Sequence, residues 1–184
     1  MVEKLIKKAI VKSNANEFLP KFANAKKAIE EINEHFGFLK WSIKRIILPI
    51  AVFYVLIGFF LQEYVLGALF TAFVVYLYAN FLPDLDAFFW HDKKTECKKA
   101  TKIEKRLALF FAPIMIYYIL SKKTKPLDLG SKKAFHNKKA LIEFTIFLFL
   151  IGLILYFSIL KASFFALFGF LGYLTHLIVD KQKL

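Results

Sequence analysis

IILPIAVFYVLIGFFLQEYVLGALFTAFVVYLYANFL, residues 46–82, is the stretch whose reading decides the fold. It is uncharged from Ile46 to Leu61, breaks at Gln62-Glu63, and is uncharged again from Tyr64 to Leu82. A bilayer core takes about 20 helical residues. One continuous helix would overrun that length and place Glu63 in hydrocarbon, so the stretch reads as two apolar helices folded back at Gln62-Glu63. Residues 141–160 and 162–179 form a second apolar pair, joined around Lys161.

The composition agrees. The chain has 184 residues, 58% of them apolar, with 23 Phe. A soluble domain averages nearer 45–50% apolar, and here the excess is gathered into runs. The one cysteine, Cys97, excludes a disulfide framework and a four-thiolate zinc site. No cleavable signal peptide is expected, because the first long apolar run starts only near Ile46. The net charge of +13 suits an anionic partner. Beside the apolar runs that partner is membrane lipid, and nucleic acid is not expected.

Residues 1–44 read as a basic amphipathic segment on the cytoplasmic side, and residues 45–184 as the membrane domain. Val2, Leu5, Ile6 and Ala9 share one helical face among Lys4, Lys7, Lys8 and Lys12, the pattern of a helix lying on an anionic surface. Ala25, Ala28, Ile29, Ile32 and Phe36 continue in helical register after Pro20. Trp41 and Trp90 sit where interfacial aromatics belong.

Residues 107–120 are apolar but short, contain Pro113 and are flanked by lysines. They fit an interfacial or re-entrant helix better than a span. Charge decides the point. Lys and Arg number 10 before Ile46, 7 in residues 90–106, 7 in residues 121–139 and 2 after Val179, leaving only Lys161. If residues 107–120 do not cross, 26 of the 27 basic residues lie on one side, which the charge asymmetry of membrane proteins makes the cytoplasmic side. The expected fold is all-α: a polytopic membrane protein of four spans (about 46–61, 64–82, 141–160 and 162–179), an interfacial helix at about 107–120, and both termini cytoplasmic in the cell membrane.

This topology gathers five ionisable residues at one leaflet. Asp84 and Asp86 close the second span in Pro83-Asp84-Leu85-Asp86. His136 precedes the third span, and His176 and Asp180 close the fourth. His176 and Asp180 are i and i+4, hence on one helix face. Alone, Pro-Asp-x-Asp also serves as a turn, and a His at a span end also serves as an anchor. Together, carboxylate and imidazole suit a divalent metal, zinc in the first place and manganese as the alternative. Such groups beside hydrocarbon mark a functional site. Asp84, Asp86, His136, His176 and Asp180 are the candidate ligands, and Asp84, Asp86 and His176 the candidate catalytic residues. One of the acids would be base to a water. His91, Asp92, Glu96 and Asp128 read as solvated loop residues.

Leu82-Pro83-Asp84-Leu85-Asp86 and Gly172-Tyr173-Leu174-Thr175-His176-Leu177-Ile178-Val179-Asp180, with a His opening the helix between them, resemble the membrane-bound metal-dependent hydrolases, the YdjM-like family, over roughly residues 64–184. In that family the middle motif is His-Arg-Gly-x-Thr-His-Ser. Here it is His136-Asn137-Lys138-Lys139-Ala140-Leu141-Ile142, which keeps the first His and has Leu141 in place of the second. Glu143, two helical turns after His136, is the acid that could stand in for it. The family also carries an early His before its first span, for which His35 is the only candidate. The resemblance implies metal-dependent hydrolysis at the cytoplasmic face, of a phosphoester or a lipid head group. The competing reading is a non-catalytic scaffold whose basic cytoplasmic surface holds anionic lipid or a partner protein. No Gly-rich phosphate loop or Ser-His-Asp arrangement competes. Transport finds no mid-span ionisable residue or broken-helix repeat to rest on.

Overall fold

A computed structural model describes residues 25–89, 97–122, 127–130 and 134–180. The expected basic helix around Val2–Lys12, Trp90, His91, Asp92 and Glu96 lie outside the described residues. Helix α1 (Ala25–Ser42) passes through a π-turn (Ile43–Ile47) into α2 (Leu48–Phe60) without a break. Pro49, which has no N–H for a helical bond, directly follows the π-turn, where the helical bonding is already displaced.

Gln62, with φ of 56°, makes the left-handed turn to α3 (Leu66–Phe81). A 3₁₀ turn (Pro83–Leu85) and the one-turn helix α4 (Asp86–Phe89) follow. Two short helices, α5 (Lys102–Phe110) and α6 (Ala112–Lys122), come next. Strand β1 (Lys98–Lys99) before them pairs in parallel with β2 (Leu127–Asp128) after them. Last come α7 (Lys138–Tyr156) and α8 (Ile159–Val179).

Residues 33–60, α7 and α8 are three helices long and apolar enough to cross a membrane. The shorter apolar helix α3, 16 residues long, extends about 24 Å. Two expectations shift. The second hairpin turns at Phe157 (φ of 48°) and not at Lys161. Ser158 caps α8 by accepting from the Lys161 N–H, and Lys161 lies in the first helical turn. The expected helix over 107–120 is two helices broken at Phe111. The first starts upstream, where Thr101 and Glu104 form a capping box.

Helix α8 is central and packs along both α3 and α7. Close approach depends on small residues. A Cβ at Gly172 would lie 2.2 Å from the Tyr76 carbonyl oxygen of α3. The Asn80 amide of α3 donates to the Gly172 carbonyl at 3.2 Å. Behind this crossing, Ser42 hydrogen-bonds Tyr76 and donates to the Leu39 carbonyl at 3.0 Å, tying α1 to α3. At the far end of the bundle Lys161 pairs with Glu63 at 3.2 Å, and the Ser158 hydroxyl donates to the same carboxylate oxygen at 3.2 Å. The two hairpins are thus joined turn to turn.

Candidate metal centre

The two aspartates after Pro83 continue opposite faces of α3. Its buried face runs through Ala72, Tyr76, Ala79 and Leu82, and its exposed face through Leu66, Phe70, Val74 and Phe81. Residues two apart in a helix lie about 200° apart around the axis. Asp86 therefore falls inward, its side chain 3% exposed, whereas the Asp84 side chain remains 49% exposed.

His136 comes from the turn before α7. Asn137 caps that helix by accepting from the Ala140 N–H at 2.9 Å, and its amide donates to the Ala134 carbonyl at 2.6 Å. The Tyr173 hydroxyl of α8 donates to the Phe135 carbonyl. Each bond fixes the backbone beside the imidazole. His176 and Asp180 come from the last turn of α8, with His176 wholly buried.

One ligand atom each from Asp84, His136, His176 and Asp180 lie within 4.8 Å of one another. The Nε2 atoms of His136 and His176 face each other at 3.3 Å. Asp180 Oδ2 is 3.0 Å from His136 Nε2 and 3.6 Å from His176 Nε2. Asp84 Oδ1 is 3.6 Å from His176 Nε2 and 4.0 Å from His136 Nε2. Zinc bonds of about 2.0–2.1 Å in a tetrahedron require ligand atoms about 3.3 Å apart. The group could hold a divalent metal with only small closure on the Asp84 side.

Asp86 stands apart from these four. Its Oδ2 meets His136 Nδ1 at 3.0 Å and accepts from the Phe135 N–H at 3.4 Å. A carboxylate on the distal nitrogen fixes the tautomer that presents Nε2 inward, the arrangement usual behind metal-binding imidazoles. Asp86 positions His136 in this geometry. Among the described residues, no hydrogen-bond partner meets the buried His176 Nδ1.

Sequence reasoning set His35 at the margin, and the fold carries it in. Its Nε2 lies 3.1 Å from Asp180 Oδ1, and its ring centroid is 5.1 Å from that of His176. Asp180 thereby bridges α1 to the four-ligand group. Glu143 does not substitute for the missing second His. Its carboxylate faces Arg106 at 3.8 Å and Lys139 at 4.0 Å on the outside of α7, and Leu141 is buried in apolar packing. The Asp128 side chain accepts from the Gly130 N–H at 2.7 Å, closing its own loop.

Electrostatics hold the group together. Burial pushes the His136 imidazole down, but hydrogen bonds to Asp180 and Asp86 overcome this and hold it up at about 9. Burial also pushes the Asp180 carboxyl up. Its contacts with His136, His176 and His35 win and hold it well below the usual carboxylate range. Asp86 is shifted the other way, raised by burial against the pull of His136. An imidazolium among carboxylates occupies the place of a cation.

Comparison of the chain with protein-family models, with curated proteins and with solved structures finds no match.

Proposed function

We propose that the chain is a metal-dependent hydrolase of the cytoplasmic membrane face, of the YdjM-like kind its motifs resemble. The observation that carries this reading is the alignment Asp86–His136–His176. Two Nε2 atoms converge at 3.3 Å, one ring being oriented from behind by a buried carboxylate. A scaffold needs no such convergence of buried ionisable groups, which are costly unless paired.

In this reading Asp84, His136, His176 and Asp180 hold one divalent cation, zinc first and manganese as the alternative. The cation supplies Lewis-acid polarisation of a phosphoryl or carbonyl oxygen and acidifies water. Asp84, the most exposed of the four, would give up its ligand position to the attacking water, accept that water's proton and return one to the leaving alcohol. His35 and Asp86 orient Asp180 and His136. The substrate is a phosphoester or a lipid head group at the interface.

Four spans, with both termini and residues 121–139 in the cytoplasm of the cell membrane, complete the reading. In that frame α3 is the short span, and α5 and α6 lie at the interface. A reporter within residues 121–139 should be cytoplasmic, and an outside location would overturn the topology.

Metal content tests the centre. Protein purified in detergent and measured by mass spectrometry should carry about one zinc or manganese per chain. Asp84→Ala and His176→Ala should lose it while keeping helical content. Absence of metal after reconstitution with zinc and manganese would overturn the reading.

A further inference from the structure

The exposed face of α3 runs from Leu66 through Phe70, Val74 and Phe81. Eighteen residues, five helical turns, separate Leu66 from Asp84. That apolar face thus leads directly to the one half-exposed residue of the four-ligand group. Phe36 of α1 meets its end, with ring centroids 6.3 Å between Phe36 and Phe81. Both rings are open to the surroundings, 57% and 41% exposed. The residue before Phe36 is His35, in contact with Asp180. On the other side of the group stand Asp86, Phe135 and Tyr173, all buried. Among the described residues, the open side of the four-ligand group is at Asp84, beside the aromatic corner.

We infer that the site takes a membrane-resident lipid with an anionic phosphate head group, entering sideways from the leaflet. Its phosphate would reach the Asp84 side of the four ligands, and its acyl chain would lie along Phe81 and Phe36. This rests on the metal-centre reading and deepens it. Two observations favour a lipid over a soluble phosphoester. The apolar face is continuous from the middle of α3 to Asp84. Phe36 and Phe81, open beside Asp84, also offer an acyl chain a contact surface that a chain-free substrate would not use. Charge complements the arrangement, since a cation held by the four ligands would face the phosphate.

The test uses the full chain, loaded with zinc, in phosphatidylcholine nanodiscs containing phosphatidic acid with a photoreactive diazirine in its acyl chain. Labelled peptides are mapped by mass spectrometry, and label around Phe36 and Phe81 is compared with label around Phe70. Expected is a ratio at least fivefold above that for a phosphatidylcholine probe of the same chain. Excess unlabelled phosphatidic acid should abolish it, glycerol phosphate at equal concentration should not, and Asp84→Ala should reduce it several-fold. Equal ratios for the two probes would mean annular lipid only and overturn the inference. Competition by glycerol phosphate as strong as by the lipid would assign the site to a soluble phosphate, and also overturn it. Metal is measured on the same samples. Metal present without selective labelling overturns this inference alone, whereas absence of metal overturns the centre and this inference with it.

Discussion

Replacing Asp86 by Asn tests whether a carboxylate behind His136 tunes the proposed centre. Asp86 Oδ2 lies 3.0 Å from His136 Nδ1 and accepts from the Phe135 N–H at 3.4 Å. Asn keeps an acceptor oxygen of nearly the same shape, so the ring should stay oriented. What disappears is the charge, which makes a hydrogen bond roughly twice as strong as a neutral one. Loss of a partner behind a metal-bound His costs about 10–100-fold in metal affinity, or about 1.4–2.7 kcal/mol. Asp86→Asn should fall near the tenfold end. Asp86→Ala, which also strips the Phe135 N–H of its acceptor, should fall near the hundredfold end. Zinc affinity can be read in detergent by competition with a chelator of known affinity at fixed pH. A change below about twofold in both variants would refute the positioning role. So would complete metal loss in Asp86→Asn equal to that in His136→Ala, since Asp86 would then be a direct ligand.

Two further outcomes follow from the packing and the charges. Gly172→Ala puts a methyl group 2.2 Å from the Tyr76 carbonyl oxygen, so α3 and α8 must part. A loss of about 1–3 kcal/mol is expected, seen as a lower unfolding temperature in detergent together with weaker metal retention, because Asp84 and His176 move apart; unchanged values would show that the crossing is looser than described. The metal-free protein should lose stability as pH rises from about 6.5, the unfolded value for His, through about 9, where folded His136 gives up its proton. The depressed Asp180 carboxyl works in the opposite sense, stabilising above the ordinary Asp value and losing that contribution in acid. Thermal unfolding across pH with a chelator should show both flanks. Zinc should remove the alkaline one, because it replaces the proton as the cation of the group.

The first hairpin was legible because Gln62-Glu63 interrupts an otherwise uncharged run, and a carboxylate is too costly to leave in the middle of a span. The second turn was displaced because Lys161 looks like the same kind of interruption. Its side chain instead reaches Glu63 across the bundle, a pairing between residues ninety-eight positions apart that no local pattern shows. Asp84, Asp86, His136, His176 and Asp180 were placed at one end from spacing and charge alone. Their division of labour was not. It depends on the helix continuing past Pro83 as a 3₁₀ turn, which keeps the phase that sends Asp86 in and leaves Asp84 out. His35 was the hardest to weigh. It reaches Asp180 only because α1 extends beyond its apolar stretch and lies against the end of α8, a tertiary fact.

The Glu63–Lys161 pair and the four-ligand group hold opposite ends of the same bundle. Ser158 and His176 are eighteen residues apart on α8, about 27 Å along its axis, close to the thickness of a bilayer core. One clasp is made wholly from the chain's own side chains. In the proposed reading the other is completed by an ion the chain must acquire, so its strength would follow the supply of that ion. Withdrawing the ion should loosen α1 and the turn before α7 at one end and leave the far hairpin turns in place. The protein would then open like a clothes-peg about a fixed spring, and its ion-bound and ion-free forms would differ in shape only on the side where the chemistry takes place.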